Sequence, residues 1–157
     1  MYRVCCSAVL FFLVEAAFAE EQPIQFNHKI HIEEGLECRD CHTLVHTEQT
    51  AGRPLLEVCA GCHEKDESKN PEIRKVAQAI ERGEEISWRR IGRLPDDVFF
   101  SHRRHVEAGK LTCNVCHGKM EEQKTPPAKP LVKISMKMCT GCHTKELISN
   151  DCLRCHR

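Results

Sequence analysis

The chain has 157 residues, and its 23 basic and 23 acidic residues give it a formal net charge of zero. This balance gives no indication of the strongly basic character that nucleic-acid binding proteins have, and no nucleic-acid partner is expected. Aromatic residues make up 5% of the chain and the mean hydropathy is −0.45, so the polypeptide alone can bury only a small core, and we expect a bound apolar group to enlarge it.

Residues 1–19 have the pattern of a secretory signal peptide. Arg3 is followed by the apolar run VCCSAVLFFLV, and residues 17–19 read Ala-Phe-Ala, which is the A-x-A form of a cleavage site. The alternative is an uncleaved membrane anchor, but Glu15 interrupts an apolar stretch that is shorter than the roughly 20 residues needed to span a bilayer. We therefore expect export to the periplasm.

Beyond this segment, every cysteine belongs to a Cys-x-x-Cys pair that is followed directly by a histidine. The five motifs are Cys38, Cys41 and His42; Cys59, Cys62 and His63; Cys113, Cys116 and His117; Cys139, Cys142 and His143; and Cys152, Cys155 and His156. This is the attachment motif of c-type haem, in which two thiols bond to the vinyl groups of one porphyrin and the adjacent imidazole is the proximal iron ligand. Zinc sites and disulfides also use cysteine pairs, but neither requires a histidine after every pair. The sequence predicts five covalently attached haem c groups.

The other five histidines are candidates for the sixth ligand of each iron. They are His28, His31, His46, His102 and His105. Four of them form two Phe-x-His-x-x-His motifs ahead of haem motifs, whereas His46 lacks this context. We expect bis-histidine coordination throughout. If one histidine is not a ligand, the alternatives are Met120, Met136 and Met138, which otherwise pack against porphyrin faces.

The chain contains two related repeats. Residues 26–43 read FNHKIHIEEGLECRDCHT, and residues 100–118 read FSHRRHVEAGKLTCNVCHG. We place the first repeat, with two haems, at 20–69, a helical connector at 70–98, and the second repeat, with three haems, at 99–157. The first repeat has three candidate distal histidines for two haems, so one of them is expected to ligate a haem of the second repeat. The two halves should then form one compact unit.

Short helices and irregular segments are expected, with little sheet. The clearest helix is NPEIRKVAQAIERG at 70–83, where Asn70 is the N-cap, Pro71 the first helical residue and Gly83 the C-terminal stop. Its apolar face comprises Ile73, Val76, Ala77 and Ile80. The segment TPPAKP at 125–130 is expected to be a loop.

A basic cluster is formed by WRRIGR at 88–93 together with Arg103 and Arg104. It is either a solvated face or a set of partners for haem propionates, since Arg suits carboxylates. The propionates of five haems would make the assembled protein acidic although the polypeptide is neutral. This favours redox partners with basic docking patches, and association that weakens with salt.

The Phe-x-His-x-x-His and Cys-x-x-Cys-His motifs together resemble those of the class III multihaem cytochromes c, which are small periplasmic electron carriers. The resemblance covers nearly all of the chain beyond the signal peptide. It implies a small multihaem cytochrome c fold around a packed haem core. It further implies that His28 ligates the haem of Cys38 and Cys41, that His102 ligates the haem of Cys113 and Cys116, and that His31 and His105 serve haems further along.

A narrower resemblance lies in ISWRRIGRLPDDVFFSHRRHVEAGKLTCNVCHG at 86–118. It is similar to the multihaem subunit of bacterial quinol-oxidising membrane complexes, namely alternative complex III and the menaquinone reductase of sulfate reducers. This resemblance implies membrane association through a complex at the outer face of the inner membrane. The sequence departs from that family in lacking a clear anchor, which leaves a free periplasmic carrier as the alternative.

Electron transfer is the expected function, and the protein is not expected to be an enzyme. Bis-histidine iron is coordinatively saturated and offers no position for a substrate. The alternatives are a multihaem nitrite- or hydroxylamine-type reductase, which needs an open iron position, and an extracellular haem filament, which needs a ligand from a neighbouring chain. The match of five candidate histidines to five haems argues against both.

Overall fold

The computed structural model describes residues 21–65 and 68–156. The predicted signal peptide at 1–19 lies outside the described residues. Within the described part, no helix is long and apolar enough to cross a membrane, and the sole β-pairing is an isolated bridge between Val98 and His156. The expectation of a mostly helical and irregular chain with little sheet is confirmed.

Seven short α-helices follow one another along the described chain. They are α1 (His28–Glu33), α2 (Cys38–Cys41), α3 (Leu56–His63), α4 (Pro71–Arg82), α5 (Asn114–His117), α6 (Met136–Lys145) and α7 (Cys152–Cys155). A π-helical turn lies at Arg104–Ala108 and a 3₁₀ turn at Met120–Glu122. Each Cys-x-x-Cys pair lies on or beside one of these helices, so its two thiols, three residues apart, project from the same face.

Helix α4 begins and ends where the sequence predicts. The Asn70 side chain accepts a hydrogen bond from the Glu72 N–H at 2.9 Å, and Pro71 occupies the first turn. Gly83 ends the helix in the left-handed region, with φ of 63°, and its N–H bonds back to the last turn. The helix buries Val76, Ala77 and Ala79 and packs on α3.

The polypeptide core is small, as the composition predicts. The buried apolar side chains in the described residues are Ile24, Val45, Leu56, Val76, Ala77 and Ala79. Several larger apolar side chains beside the haem motifs are exposed, among them Met136 at 63% and Leu153 at 77%. Apolar surface concentrated at the cysteine motifs fits a chain whose core is completed by attached groups.

Backbone hydrogen bonds join the two repeats. The carbonyl of Gln49 accepts from the His102 N–H at 2.9 Å, and the carbonyl of Glu48 accepts from the Arg103 N–H at 3.3 Å. On the other side, the Lys29 N–H donates to the Gln123 carbonyl at 3.1 Å, where α1 packs on the 3₁₀ turn. The repeats therefore contact each other along two lines, although the exact repeat boundaries stay a prediction.

The α3–α4 contact can be tested with Val76→Ala. Removal of two buried methyl groups should lower the free energy of unfolding by roughly 1.5 kcal/mol, at about 0.8 kcal/mol per group. Denaturant unfolding followed by far-UV circular dichroism measures the change. Gln78→Ala, at an exposed position of the same helix, is the control and should change stability by less than about 0.5 kcal/mol. Equal losses in the two variants would contradict the packing described.

Candidate haem sites

The cysteines from Cys38 to Cys155 are all free thiols, so the described chain contains no disulfide framework. One thiol of each pair is exposed and the other half-buried. Burial raises the pKa of the Cys41, Cys59 and Cys116 thiols above the ordinary value. Pairs of accessible thiols on short helices are suited to bonding a planar group laid across each helix.

Thiols of different motifs lie beside one another in a fixed order. Partial burial and then the neighbouring Cys113 raise the pKa of Cys38, and burial and then Cys41 raise that of Cys59. Burial and then Cys139 raise the pKa of Cys116. Cys139 in turn has a raised pKa through partial burial and then Cys155. The motifs thus form a series: the pair at 59 and 62, then those at 38 and 41, 113 and 116, 139 and 142, and 152 and 155.

Three distal candidates face proximal candidates across the same distance. The ring centres of His31 and His63, of His102 and His117, and of His105 and His143 are each 6.2 Å apart. A metal–imidazole bond is about 2 Å long and the ring centre lies roughly 1 Å behind the bonded nitrogen, so two imidazoles on opposite sides of one iron have centres about 6 Å apart. The residues therefore fit a haem iron between each pair.

The arrangement does not resemble a zinc site. In the described residues, no three metal-binding side chains converge on one point. A tetrahedral zinc site needs four protein ligands, or three with a water, whereas haem iron needs only two because the porphyrin supplies the other four. Facing pairs of imidazoles therefore suit haem iron rather than zinc.

Hydrogen bonds at Nδ1 fix the orientation of the distal rings. Nδ1 of His31 lies 2.8 Å from the Asn27 carbonyl, and Nδ1 of His105 lies 2.8 Å from the Ser101 carbonyl. A carbonyl oxygen only accepts, so Nδ1 carries the hydrogen and Nε2 keeps its lone pair for a metal. His102 is held in the same way by the Gln49 carbonyl at 3.0 Å.

The phenylalanine of each Phe-x-His-x-x-His motif supports both histidines, a role that the sequence reasoning missed. Phe26 stacks on His31 with ring centres 4.4 Å apart, and Phe100 stacks on His105 at 4.5 Å. Each phenylalanine also meets the first histidine of its motif edge-on, at 4.8 Å for His28 and 4.9 Å for His102. The fixed position of the phenylalanine in both Phe-x-His-x-x-His motifs was the sequence signal that could have indicated this role.

His28 lies in the most desolvated histidine environment of the first repeat. Burial, followed by the neighbouring His42 and His31, lowers the pKa of His28 to about 4. Its Nδ1 and the Nε1 of Trp88 are buried without a hydrogen-bond partner in the described part of the chain, and Phe26 contacts both rings. A neutral imidazole beside His42 is in the protonation state that a metal ligand requires.

His46 and His156 are held from the same stretch of chain. Nδ1 of His46 hydrogen-bonds to the Glu107 carboxylate, and Nδ1 of His156 lies 2.9 Å from Oδ2 of Asp97. The hydrogen bond from His156 lowers the pKa of Asp97. Val98 forms the β-bridge to His156. Segment 97–107 therefore brings a histidine of the first repeat and the last haem motif to one neighbourhood.

The remaining sequence candidates make other contacts. Met136 is exposed, and Met120 and Met138 are half-buried. In the basic cluster, Arg93 pairs with Asp96, and the guanidinium of Arg104 lies 5.8 Å from the Phe99 ring centre. Neither the methionine ligand nor the propionate role gains a contact here, and both stay predictions.

Two family models match the chain. Residues 13–90 match the model described as the class III cytochrome C family, and residues 98–157 match the one described as cytochrome c7 and related cytochrome c. The boundary between the matches falls in the predicted connector. The matched families carry covalent haem c, so the prediction of covalently bound haem c is confirmed, while the count of five and the attachment residues stay predictions.

A curated relative extends the match across both repeats. The menaquinone reductase multihaem cytochrome c subunit of Nitratidesulfovibrio vulgaris is 34% identical over 163 aligned positions, which cover 88% of this chain and 78% of the relative. The alignment therefore covers most of both proteins.

The stacking of Phe26 on His31 can be tested with Phe26→Ala in the haem-loaded protein. Loss of an aromatic contact worth about 0.5–1.5 kcal/mol should speed dissociation of the His31 ring roughly 2- to 10-fold. Carbon monoxide binds only after a distal ligand leaves, so its binding rate to the reduced protein reports this step. Phe26→Leu, which keeps an apolar side chain of similar reach, separates stacking from packing. Identical rates in wild type and Phe26→Ala would contradict the role assigned to Phe26.

Proposed function

The chain belongs to the class III cytochrome c family of electron-transfer proteins with covalently bound haem c, and on that premise we propose that it carries five haems with bis-histidine iron. It transfers electrons in the periplasm between a quinone-linked or periplasmic donor and a periplasmic acceptor. The observation that carries this proposal is the common 6.2 Å separation of three distal–proximal histidine pairs.

Each haem is assigned one pair of axial histidines. The pairs are His28 with His42, His31 with His63, His102 with His117, His105 with His143, and His46 with His156. Ring distances support three of these pairs. The fourth pair is the one that the class III resemblance implies for the haem of Cys38 and Cys41, and the fifth joins the two histidines that are left, both of which contact segment 97–107.

The chain's own residues hold, orient and insulate the redox centres. Haem c supplies an iron that changes between the ferric and ferrous states. The cysteines would hold each porphyrin, the paired imidazoles would ligate its iron, and the Nδ1 hydrogen bonds keep those imidazoles in the tautomer that can bind a metal. With both positions filled, neither substrate nor solvent can bind the iron, which suits outer-sphere electron transfer.

The order of neighbouring thiols gives the order of the haems. From one end, the series runs through the motifs at 59–63, 38–42, 113–117, 139–143 and 152–156, because each contributes a thiol beside one of the next motif. The path crosses between repeats once, where Cys38 meets Cys113. Electrons would enter and leave at the two ends, in the motifs at 59–63 and 152–156.

The relative's name indicates the kind of partner. It is a subunit of a menaquinone reductase, so we propose that this chain is likewise the cytochrome subunit of a quinone-linked membrane complex at the periplasmic side of the membrane. Propionates would make the loaded protein acidic, so its soluble redox partner should present a basic patch and bind less tightly as salt increases.

Replacement of His46 tests the five-haem assignment. The mass of the purified wild-type protein should show five attached haems, all low-spin by electron paramagnetic resonance. His46→Ala should keep five haems but convert one of them to a high-spin form, since a vacated iron position takes water or stays open. Thr47→Ala, an exposed neighbour, is the control and should stay wholly low-spin. A wholly low-spin His46→Ala protein would show that His46 is not an iron ligand.

Purification from native membranes under mild detergent tests the proposed partner. A tagged copy of the protein is followed by haem staining. It should co-purify with integral membrane subunits and stay bound to them through standard salt washes. Recovery of the protein in the soluble periplasmic fraction without large partners would overturn the complex assignment and identify a mobile carrier instead.

A further inference from the structure

The histidine rings fall into two groups by the acceptor at Nδ1. Four of the rings with such a bond use backbone carbonyls as acceptors. The pairs are His31 with Asn27, His42 with Gly52, His102 with Gln49 and His105 with Ser101. In the described part of the chain, the rings that instead contact a carboxylate are His46, with Glu107, and His156, with Asp97. Those two histidines are the pair assigned to one iron.

The backbone places both carboxylates independently of the side-chain contacts. Asp97 immediately precedes Val98, which bridges to His156, and the Phe99 N–H donates to the Cys155 carbonyl at 2.6 Å. Glu107 lies on the π-helical turn Arg104–Ala108. His102 and Arg103, which immediately precede that turn, donate their N–H groups to the Gln49 and Glu48 carbonyls in the loop after His46. One short segment thus delivers one carboxylate to His46 and another to His156.

A carboxylate at Nδ1 changes the metal ligand differently from a carbonyl. It carries a full negative charge and draws the Nδ1 hydrogen toward itself, which gives the ring more imidazolate character and makes Nε2 a stronger donor. A stronger donor and a nearby negative charge both favour ferric over ferrous iron. Both effects lower the reduction potential, and here they act on both axial ligands of the same iron.

We propose that Asp97 and Glu107 are positioning residues that lower the reduction potential of the haem bound by Cys152 and Cys155, below that of an otherwise equal haem with carbonyl acceptors. This inference rests on the proposed function, which assigns His46 and His156 to that haem. Lys110 lies 3.8 Å from the second oxygen of Glu107, whereas the first oxygen is hydrogen-bonded to His46, so Lys110 offsets only part of the Glu107 charge.

The position of this haem at one end of the series relates its lowered reduction potential to the direction of electron flow. Its motif is the terminal one of the thiol series, with Cys139 as its neighbour. If its potential is also lower than that of its neighbours, a haem at 152–156 would receive electrons from a strongly reducing partner and pass them on into the series. On this proposal the motif at 152–156 would be the entry side and the motif at 59–63 the exit side.

Asp97→Asn in the fully loaded protein is the decisive test, because His156 adjoins the haem-bound Cys155 and its place beside the iron does not depend on Asp97. The potential of each haem is followed by a redox titration monitored by electron paramagnetic resonance. One haem should become easier to reduce, so that its ferrous-to-ferric ratio at a fixed potential rises severalfold. Glu107→Gln should shift the same haem in the same direction, and the double variant should shift it further.

Two controls separate charge tuning from a structural role. Glu122→Gln removes an exposed carboxylate that pairs with Lys119 and contacts no histidine, so it should leave all potentials unchanged. Asp97→Glu keeps a carboxylate and should restore a potential close to that of the wild type. A purely structural effect of Asp97 would not be reversed by the longer side chain.

The outcomes distinguish this inference from the proposed function. If all variants carry five low-spin haems and the potentials in Asp97→Asn equal those in Glu122→Gln, the inference is overturned while the five-haem assignment stands. If the wild type carries fewer than five haems or contains a high-spin one, the assignment itself fails and the inference falls with it.

Discussion

The structure depends on holding two imidazoles face to face at the distance that one iron requires. His31 and His63 meet across 6.2 Å although about one-fifth of the chain separates them, and His105 and His143 do the same in the second repeat. Because the proximal histidine is tied to its cysteine pair, each distal histidine must be delivered by a separate helix or loop. This requirement fits a fold of short helices and irregular connections, in which α4 and α6 are the longest helices of the described residues.

Local contacts, rather than a large apolar core, orient these side chains. Few residues are buried in the described chain, so a distal ring cannot rely on close packing for its position. The Phe-x-His-x-x-His motif orients the ring through neighbouring residues instead. Phe100 stacks on His105, and the Ser101 carbonyl fixes the tautomer of His105. The same arrangement occurs around Phe26, so both repeats contain the aromatic stack and the carbonyl hydrogen bond as well as the pair of histidines.

Features encoded within a few neighbouring residues could be predicted from the sequence. Short sequence patterns are enough to recognise the haem motifs and, through them, the family. The ends of α4 at Asn70 and Gly83 are likewise set by the residues at those positions. The carboxylates on His46 and His156 could not be predicted, because Asp97 and Glu107 are two of 23 acidic residues and both are substantially exposed. Only the tertiary fold, which lays segment 97–107 against the loop after His46, distinguishes them from other surface acids.

Segment 97–107 also links the two repeats. At its start it pairs with the last haem motif through Val98 and His156. At its end, Glu107 reaches His46 of the first repeat, and between them lie the two distal histidines of the second repeat. A separation of the repeats would therefore break the contacts of segment 97–107 as well as the Cys38–Cys113 neighbourhood. Under the proposed ligand assignment, the same contacts would hold the repeats together and keep the haem series continuous.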